Sequence, residues 1–385
     1  MKRSLLFVIT EMYRGGAETT LVNLLKSLSC DRFDVDLLVL SQISMENSLL
    51  NDLPEWVRIC NAGLKNYPKR IQMTKEEFLL GGRIAEEFVQ DKVYDIAFSY
   101  GEWCRLSFVA ERVKATRKAV WIHTDITASP SFEEQQFFDL FLQYRYYIFV
   151  SESTKRLAES RYPFLVGKSV LIHNFLDREK LIDLSEKGVA GFRYPDHVAR
   201  LITIANIRSE KGYQRVVETA HILKEEGFSF CWLCIGAFSD TVLERTLREQ
   251  IHALNLSEQL ILLGSRENPH PYTKMADVFV LLSDYEAWPL AMAEAMLLGK
   301  PAIATNTSGA KTHIRNMENG ILCGFDPKDS AEAIKRFFAD KELRTSIEKE
   351  TQAYKGAPQA LLEFQAFVED SLKSVPEKGR MDDHD

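Results

Sequence analysis

The sequence predicts an α/β protein made of two doubly wound, parallel-sheet domains. Three observations lead there. Residues 278–305, VFVLLSDYEAWPLAMAEAMLLGKPAIAT, read as strand, loop, helix and second strand. The run 278–282 is continuously apolar, as a parallel strand covered on both faces must be. Pro289 suits the first helical position, because its missing N–H would be unpaired there anyway, and Gly299 stops the helix before the apolar run 301–304. Such a crossover is right-handed and leaves its loop at the strand's carboxyl end, where open α/β sheets bind ligands. Second, short apolar runs alternate with helix-forming stretches along the chain. Third, 385 residues are too many for one typical core and suit two domains of roughly 150–200 residues each.

Two carboxylates sit in the 278–305 unit, Glu286 in the loop and Glu294 inside the helix, with seven residues between them. A helix beginning near Pro289 puts Glu294 more than one turn in, while Glu286 hangs over the helix mouth, so the two reach different parts of one extended ligand. The unpaired amides of Trp288, Leu290 and Ala291 point at the same mouth and suit a phosphate. A ligand with phosphate at the amides and hydroxyls at the carboxylates is a nucleotide sugar, Glu294 on the ribose and Glu286 on the transferred sugar. On spacing alone an alternative stands level with it, in which Glu286 is a solvated loop charge and Glu294 the polar face of an ordinary helix.

The run Glu286-Ala287-Trp288-Pro289-Leu290-Ala291-Met292-Ala293-Glu294-Ala295-Met296, followed by Gly299-Lys300-Pro301, resembles the E-x7-E segment of the family-4 retaining glycosyltransferases, within glycosyl transferases group 1. The similarity extends through Ser308-Gly309 and Asn319-Gly320-Ile321-Leu322, with matching stretches through much of the chain. It implies the GT-B arrangement, two Rossmann-like domains facing a cleft, with a C-terminal helix crossing back to the first domain. The expected division is an acceptor-side domain over 1–185, a nucleotide-sugar donor domain over 186–355, the returning helix over 356–373 and a disordered tail over 374–385.

Composition narrows the function class. With 45% hydrophobic and 27% charged residues this is an ordinary soluble chain, and a net charge of −7 argues against a nucleic-acid binder. Six scattered cysteines do not make a disulfide scaffold, which points to a reducing cytoplasm. Cys231-Trp232-Leu233-Cys234 spells C-x-x-C inside an apolar run that reads as a buried strand, without a second ligand pair nearby. The basic start and apolar run at 1–10 are too short for a signal peptide, and no stretch is long enough to span a bilayer.

In chain order, 5–9 reads as the first strand, 10–17 as a Gly loop and 18–28 as an apolar-periodic helix. Gly15 and Gly16 allow close backbone approach, but the loop is not the G-x-G-x-x-G fingerprint, so a nicotinamide cofactor is poorly supported. By resemblance this Gly-Gly-Ala-Glu loop lies on the acceptor side, beside the donor's phosphates. Residues 33–40 form the next strand, and its Asp34-Val35-Asp36, a formal D-x-D, reads as structural. The stretch 61–90 mixes Lys65, Lys69, Arg70 and Lys75 with Tyr67, Ile71, Met73, Phe78 and Leu79. That mixture suits an anionic membrane, although Glu76, Glu77, Glu86 and Glu87 favour a solvated helix face; a lipid-linked acceptor would make peripheral membrane contact reasonable.

Strands follow at 94–100, 119–122, 147–150 and 169–173, the second delivering His123-Thr124-Asp125 into the crevice. His123 resembles the family histidine placed near the donor sugar; read alone, it is a hydrogen-bonded core residue. Ser151 to Lys155 reads as a capped helix start, and 177–200 as an irregular interdomain linker. The second domain opens with a strand at 201–205 and the loop Asn206-Ile207-Arg208-Ser209-Glu210-Lys211-Gly212, then a helix at 213–226. Family members carry Arg and Lys here on the donor's diphosphate. Lys211 fits, Asn206 stands at the usual arginine position, and Arg208 supplies the charge from two residues on. Strands at 228–235 and 259–263 follow, with Ser265-Arg266 flanking the nucleobase by resemblance. Turns are expected at 308–310 and 319–320, and helices at 329–342 and 361–372.

The expected reaction is transfer of a sugar from a nucleotide-diphosphate sugar, a UDP-sugar by the family's commonest base, to a glycan or lipid-linked acceptor with retention of configuration. It needs neither cofactor nor metal. Lys211, Arg208 and the helix amides neutralise the departing diphosphate, Glu286 orients the donor sugar, and His123 contacts it from the other domain. Two rivals remain: a sugar-nucleotide epimerase of the same architecture, and a catalytically silent nucleotide-sugar or glycan binder, the latter motivated by Asn206 and by Phe175, which follows Asn174 where the family often has Asn-Gly.

Overall fold

The structure, a computed structural model, describes residues 2–12, 15–41, 49–64, 75–129, 132, 134–189, 192–238 and 241–373. Two wholly parallel sheets organise it. The first contains β1 (Arg3–Ile9), β2 (Phe33–Ser41), β3 (Arg58–Leu64), β4 (Tyr94–Tyr100), β5 (Ala115–Ile122), β6 (Tyr146–Phe149) and β7 (Ser169–Leu171), in the order β3-β2-β1-β4-β5-β6-β7. The second contains β8 (Ala199–Ile204), β9 (Phe230–Ile235), β10 (Leu260–Gly264), β11 (Val278–Leu281), β12 (Ala302–Thr305) and β13 (Gly320–Cys323), in the order β10-β9-β8-β11-β12-β13. Both sheets reverse their strand order once, between β1 and β4 and between β8 and β11.

Burial on both faces explains the apolar strands. In β1, Leu5, Phe7 and Ile9 join one core, while Leu6 and Val8 join the core on the opposite face. The second sheet repeats this, with Val278 and Val280 on one side and Phe279 and Leu281 on the other. Helix Ala360–Lys373 returns to the first domain, as expected: Phe364 lies 6.2 Å from Phe7, 5.9 Å from Phe98 and 6.1 Å from Trp121, ring to ring.

Several local expectations are corrected. The 177–200 stretch, expected to be irregular after its first turn, carries two turns of helix first: Asp177 accepts a hydrogen bond from the Lys180 amide at 3.0 Å and caps a helix, Arg178–Ser185, and the described residues from 186 to 198 form neither helix nor strand. The expected helix at 329–342 is two, Pro327–Ala339 and Lys341–Gln352, because the Asp340 side chain caps the second through the Leu343 amide at 3.0 Å. The turn at 319–320 instead opens the edge strand β13. Pro289 is the N-cap, one position before the helix Leu290–Leu297. Cys231 and Cys234, both fully buried, join cores on opposite faces of β9, so the C-x-x-C cannot converge on one ion.

Asp36 of the D-x-D is wholly buried near the amino ends of the strands. It takes Arg58 Nε at 3.0 Å, Tyr94 Oη at 2.6 Å and Lys92 Nζ at 3.2 Å, a structural ion cluster remote from the sheet's ligand edge. Most of the basic and apolar residues noted in 61–90, and the tail 374–385, lie outside the described residues. Among the described residues no helix is long and apolar enough to cross a membrane.

Candidate active site between the two sheets

In open parallel sheets the crevice lies at the carboxyl ends of the strands flanking the order reversal. In the second domain those strands are β8 and β11, and their loops are 205–212 and 282–289. Gly212 holds the two loops together: its φ is +66°, and a Cβ there would collide with the Leu282 carbonyl oxygen. The Asp284 amide also donates to the Glu210 carbonyl at 2.9 Å.

This join delivers the Lys211 ammonium to Glu286. Lys211 Nζ donates to Glu286 Oε1 at 2.8 Å, and Ser283 Oγ donates to the same oxygen at 2.8 Å. Glu286 is therefore not a solvated loop charge; it is 9% exposed. Both donors engage Oε1, and among the described residues no donor reaches Oε2. Gly309 approaches from behind, its amide donating to the Glu286 carbonyl at 2.8 Å, and a Cβ on it would stand 2.6 Å from that oxygen.

Glu294 lies in the second turn of the helix Leu290–Leu297, partly buried. Burial pushes its carboxyl up to about 8, with Lys180 opposing. An ordinary helix face would leave it solvated and acidic. Residues 192–354 match the family model of glycosyl transferases group 1. The Lys211–Glu286 pair, Glu294 and the helix N-terminus all fall in this group 1 segment.

Two relatives and one solved structure extend the match. N-acetyl-alpha-D-glucosaminyl L-malate synthase of Bacillus anthracis is 29% identical over 149 residues, covering 38% of this chain and 38% of its own length. The UDP-Gal:alpha-D-GlcNAc-diphosphoundecaprenol alpha-1,3-galactosyltransferase of Escherichia coli is 38% identical over 91 residues, 23% of this chain and 24% of its own. The crystal structure of Anabaena Alr3699/HepE with UDP-glucose superposes with a TM-score of 0.74 at 16% identity, over 97% of this chain and 100% of that one. The matched part spans about two fifths or less of the first curated relatives. The full-length superposition fixes the fold as GT-B.

The first domain meets the group 1 segment across the crevice. Gly15 caps the helix Gly16–Ser27, and a Cβ on Gly16 would lie 3.6 Å from the Leu290 side chain. Ala287, Trp288 and Ala293 pack into the first domain's core beside Tyr100 and Trp121. Trp288 also stands edge-on to His313, 4.4 Å between centroids, and His313 Nδ1 meets Tyr354 Oη at 2.6 Å. Trp288 is thus a packing anchor for the loop, whatever its amide does. The halves are closed on each other here, and surface hollows of about 340 and about 600 Å3 lie outside the cleft.

His123, at the end of β5, is stacked parallel to Trp121 at 6.2 Å and lies 4.7 Å from Tyr100. Its Nε2 is buried with no hydrogen-bond partner among the described residues. It is therefore not the hydrogen-bonded core histidine that the residue alone suggests. Burial pushes the imidazole down to about 3, so it is neutral and offers a hydrogen bond rather than a charge. The same loop reaches the donor side through Asp125, whose Oδ2 lies 3.0 Å from Ser308 Oγ; that hydroxyl also lies 3.0 Å from the Glu286 carbonyl. The sequence places Asp125 in the crevice but assigns no role to it or to Ser308, since the bond between them joins residues 183 apart in the chain.

Arg208 is exposed, 3.9 Å from Glu210, and close enough to the first domain to act on its carboxylates. Burial pushes Glu18 up to about 7, Glu11 adding to it and Arg208 opposing. Asn206 lies two residues past the end of β8, at the same edge. Ser265 and Arg266 are not brought to the pair. They are exposed beyond β10, two strands from β8 and so about 10 Å away by strand spacing, and Arg266 donates to the Ser265 carbonyl.

Proposed function

We propose that this chain is a retaining family-4 glycosyltransferase that moves a sugar from a UDP-sugar to a glycan or lipid-linked acceptor. One observation carries the reading: a cation–carboxylate pair, Lys211–Glu286, at the order reversal of the second sheet, beside a helix N-terminus and facing the Gly15–Gly16 loop. That set matches the charge pattern of a sugar diphosphate. Lys211 meets the diphosphate as the glycosidic bond breaks, giving up its contact with Glu286, which is then free to accept from the sugar's hydroxyls. The amides of Leu290 and Ala291 add fixed positive dipole where the charge grows. Glu294 takes the ribose hydroxyls, and neutral His123 bonds the donor sugar through Nε2. Arg208 exchanges Glu11 and Glu18 for phosphate oxygens. No residue is assigned as covalent nucleophile, and no cofactor or metal is invoked.

Support for UDP comes from the neighbour crystallised with UDP-glucose and the relative named for UDP-Gal; the latter's name also gives a diphosphoundecaprenol acceptor. Both are similarities. The chain would then work in the cytoplasm, at the membrane's inner face where the acceptor is lipid-linked. The test is a melting-temperature screen against nucleotide-diphosphate sugars, followed by UDP release with an acceptor panel and NMR assignment of the product anomer. A product formed without acceptor would identify an epimerase. Binding without turnover on any acceptor would identify a silent binder. An inverted anomer, or activity abolished by EDTA and restored by a divalent ion, would refute retention or metal independence.

A further inference from the structure

A second charged site lies on the opposite edge of the first sheet. Because β5, β6 and β7 are parallel, their entering ends share one edge, and the residues there are Thr116, Arg117 and Lys118, then Tyr144 and Arg145, then Lys168. Together with Leu142 they line a hollow of about 340 Å3. Four cations around one hollow are unexpected in a chain with a net charge of −7. Among the described residues no carboxylate forms an ion pair with Lys118, Arg145 or Lys168. Lys118 Nζ reaches the Ala110 carbonyl, Arg117 Nε donates to the Ser371 carbonyl at 3.2 Å, and Lys168 Nζ sits 3.8 Å over the Phe141 ring. Burial holds both lysines below the usual amine range, with Arg145 adding to the effect at Lys168.

Exposed apolar side chains accompany these cations. Leu142, which lines the hollow, is 86% exposed. Phe141, under Lys168, packs on Phe164 at 4.3 Å, and next to Phe164 stand Phe138, 42% exposed, and two residues along the chain Val166, 65% exposed. A soluble polyanion would give no reason for bare aliphatic side chains beside its cations. A bilayer would, since headgroup phosphates take the cations and the interfacial layer takes the apolar tips.

We propose that this edge is a docking surface for an anionic phospholipid bilayer, with Arg117, Lys118, Arg145 and Lys168 at the headgroups and Leu142 and Val166 at the acyl boundary. The cleft opens at the other ends of the same strands, about 25 Å away for the eight residues of β5, so docking leaves it clear of the headgroups. The inference does not depend on the sugar-transfer reading.

The test floats the purified full chain with liposomes of phosphatidylcholine, with and without phosphatidylglycerol, at low and high salt. Flotation is expected only with phosphatidylglycerol, and high salt should reverse it. The double variant R145E/K168E should lower the partition coefficient about tenfold or more, and Leu142→Asp should lower it several-fold, both with unchanged melting temperature. Absence of flotation at low salt, or flotation indifferent to R145E/K168E, would overturn the proposal. So would inorganic pyrophosphate raising the melting temperature of the native protein but not of R145E/K168E without any liposome binding, which would make the hollow a site for free anions.

Discussion

Ser308 Oγ stands 3.0 Å from Asp125 Oδ2 and 3.0 Å from the Glu286 carbonyl oxygen, so one hydroxyl ties the first domain's β5 loop to the loop that carries the candidate carboxylate. Its proton serves one acceptor at a time, and Asp125 keeps the Thr127 amide and hydroxyl as donors at 3.0 and 2.6 Å. Removing Ser308 leaves Asp125 held through Oδ1, with Oδ2 stripped of this donor. It removes a bond across the cleft, and a hydrogen bond to a charged group is worth about 1.5–3 kcal/mol. Ser308→Ala should lower the melting temperature by about a few degrees and raise the donor KM about tenfold or more. Steady-state kinetics and small-angle scattering check this, and an unaltered KM with an unaltered radius of gyration would show that the bond does not hold the cleft closed.

The Lys211–Glu286 pair is half of the proposed chemistry and part of the loop's stability. Lys211→Ala should slow transfer by roughly one to two orders of magnitude, the rate equivalent of one charge-assisted hydrogen bond. It also leaves Glu286 with Ser283 alone on Oε1. In a double-mutant cycle, Lys211→Ala with Glu286→Gln should recover part of the stability lost by Lys211→Ala, since the uncompensated carboxylate is gone, yet recover no activity. Additive stabilities from denaturant titrations would mean the two groups do not couple.

The returning helix offers a test of the fold free of any catalytic claim. Phe364 is wholly buried against Phe7, Phe98 and Trp121, so Phe364→Ala should cost about 3–5 kcal/mol by urea unfolding. Leu362, two residues away and 66% exposed, should change stability by about 0.5 kcal/mol or less when replaced by Ala. Equal effects at both positions would mean the helix does not dock by this face.

What the sequence revealed follows from how local each signal is. The apolar runs locate β4 to the residue, and β1, β11 and β12 to within two, because parallel strands buried on both faces are unbroken apolar runs. β3, an edge strand reading RICNAGL, carries no such run, and the short β13 hides inside a turn motif. Glu286 stands out through its spacing from Glu294 together with the family resemblance, and Lys211 through the resemblance alone, but their direct contact does not, since 75 residues separate them. Asp125–Ser308, 183 residues apart, left no trace that one sequence could show. The neutrality of His123 is also a tertiary effect: it comes from burial of the imidazole, and although Trp121 is its neighbour along the strand, the packing that excludes water there is set by the folded domain.

Glu294 gives the sharpest pH test. Its carboxyl ordinarily titrates at 4.5, and burial in the folded protein pushes it up to about 8. The folded state therefore holds a proton that the unfolded chain releases between those values. The stability this contributes is complete below about 4.5 and is lost as the pH rises through about 8. Glu294→Gln cannot ionise, so its melting temperature should match the native protein's at pH 5 and exceed it by about a few degrees at pH 8. Ribose hydroxyls donate to the ionised carboxylate, so UDP binding should expel the proton. Affinity for UDP should then rise with pH up to about 8, by at most about tenfold per pH unit, and calorimetry in two buffers of different ionisation heat should detect the released proton. Glu294→Gln should bind UDP more weakly and with no such pH dependence. Native binding that releases no proton between pH 6 and 8 would place the ribose elsewhere.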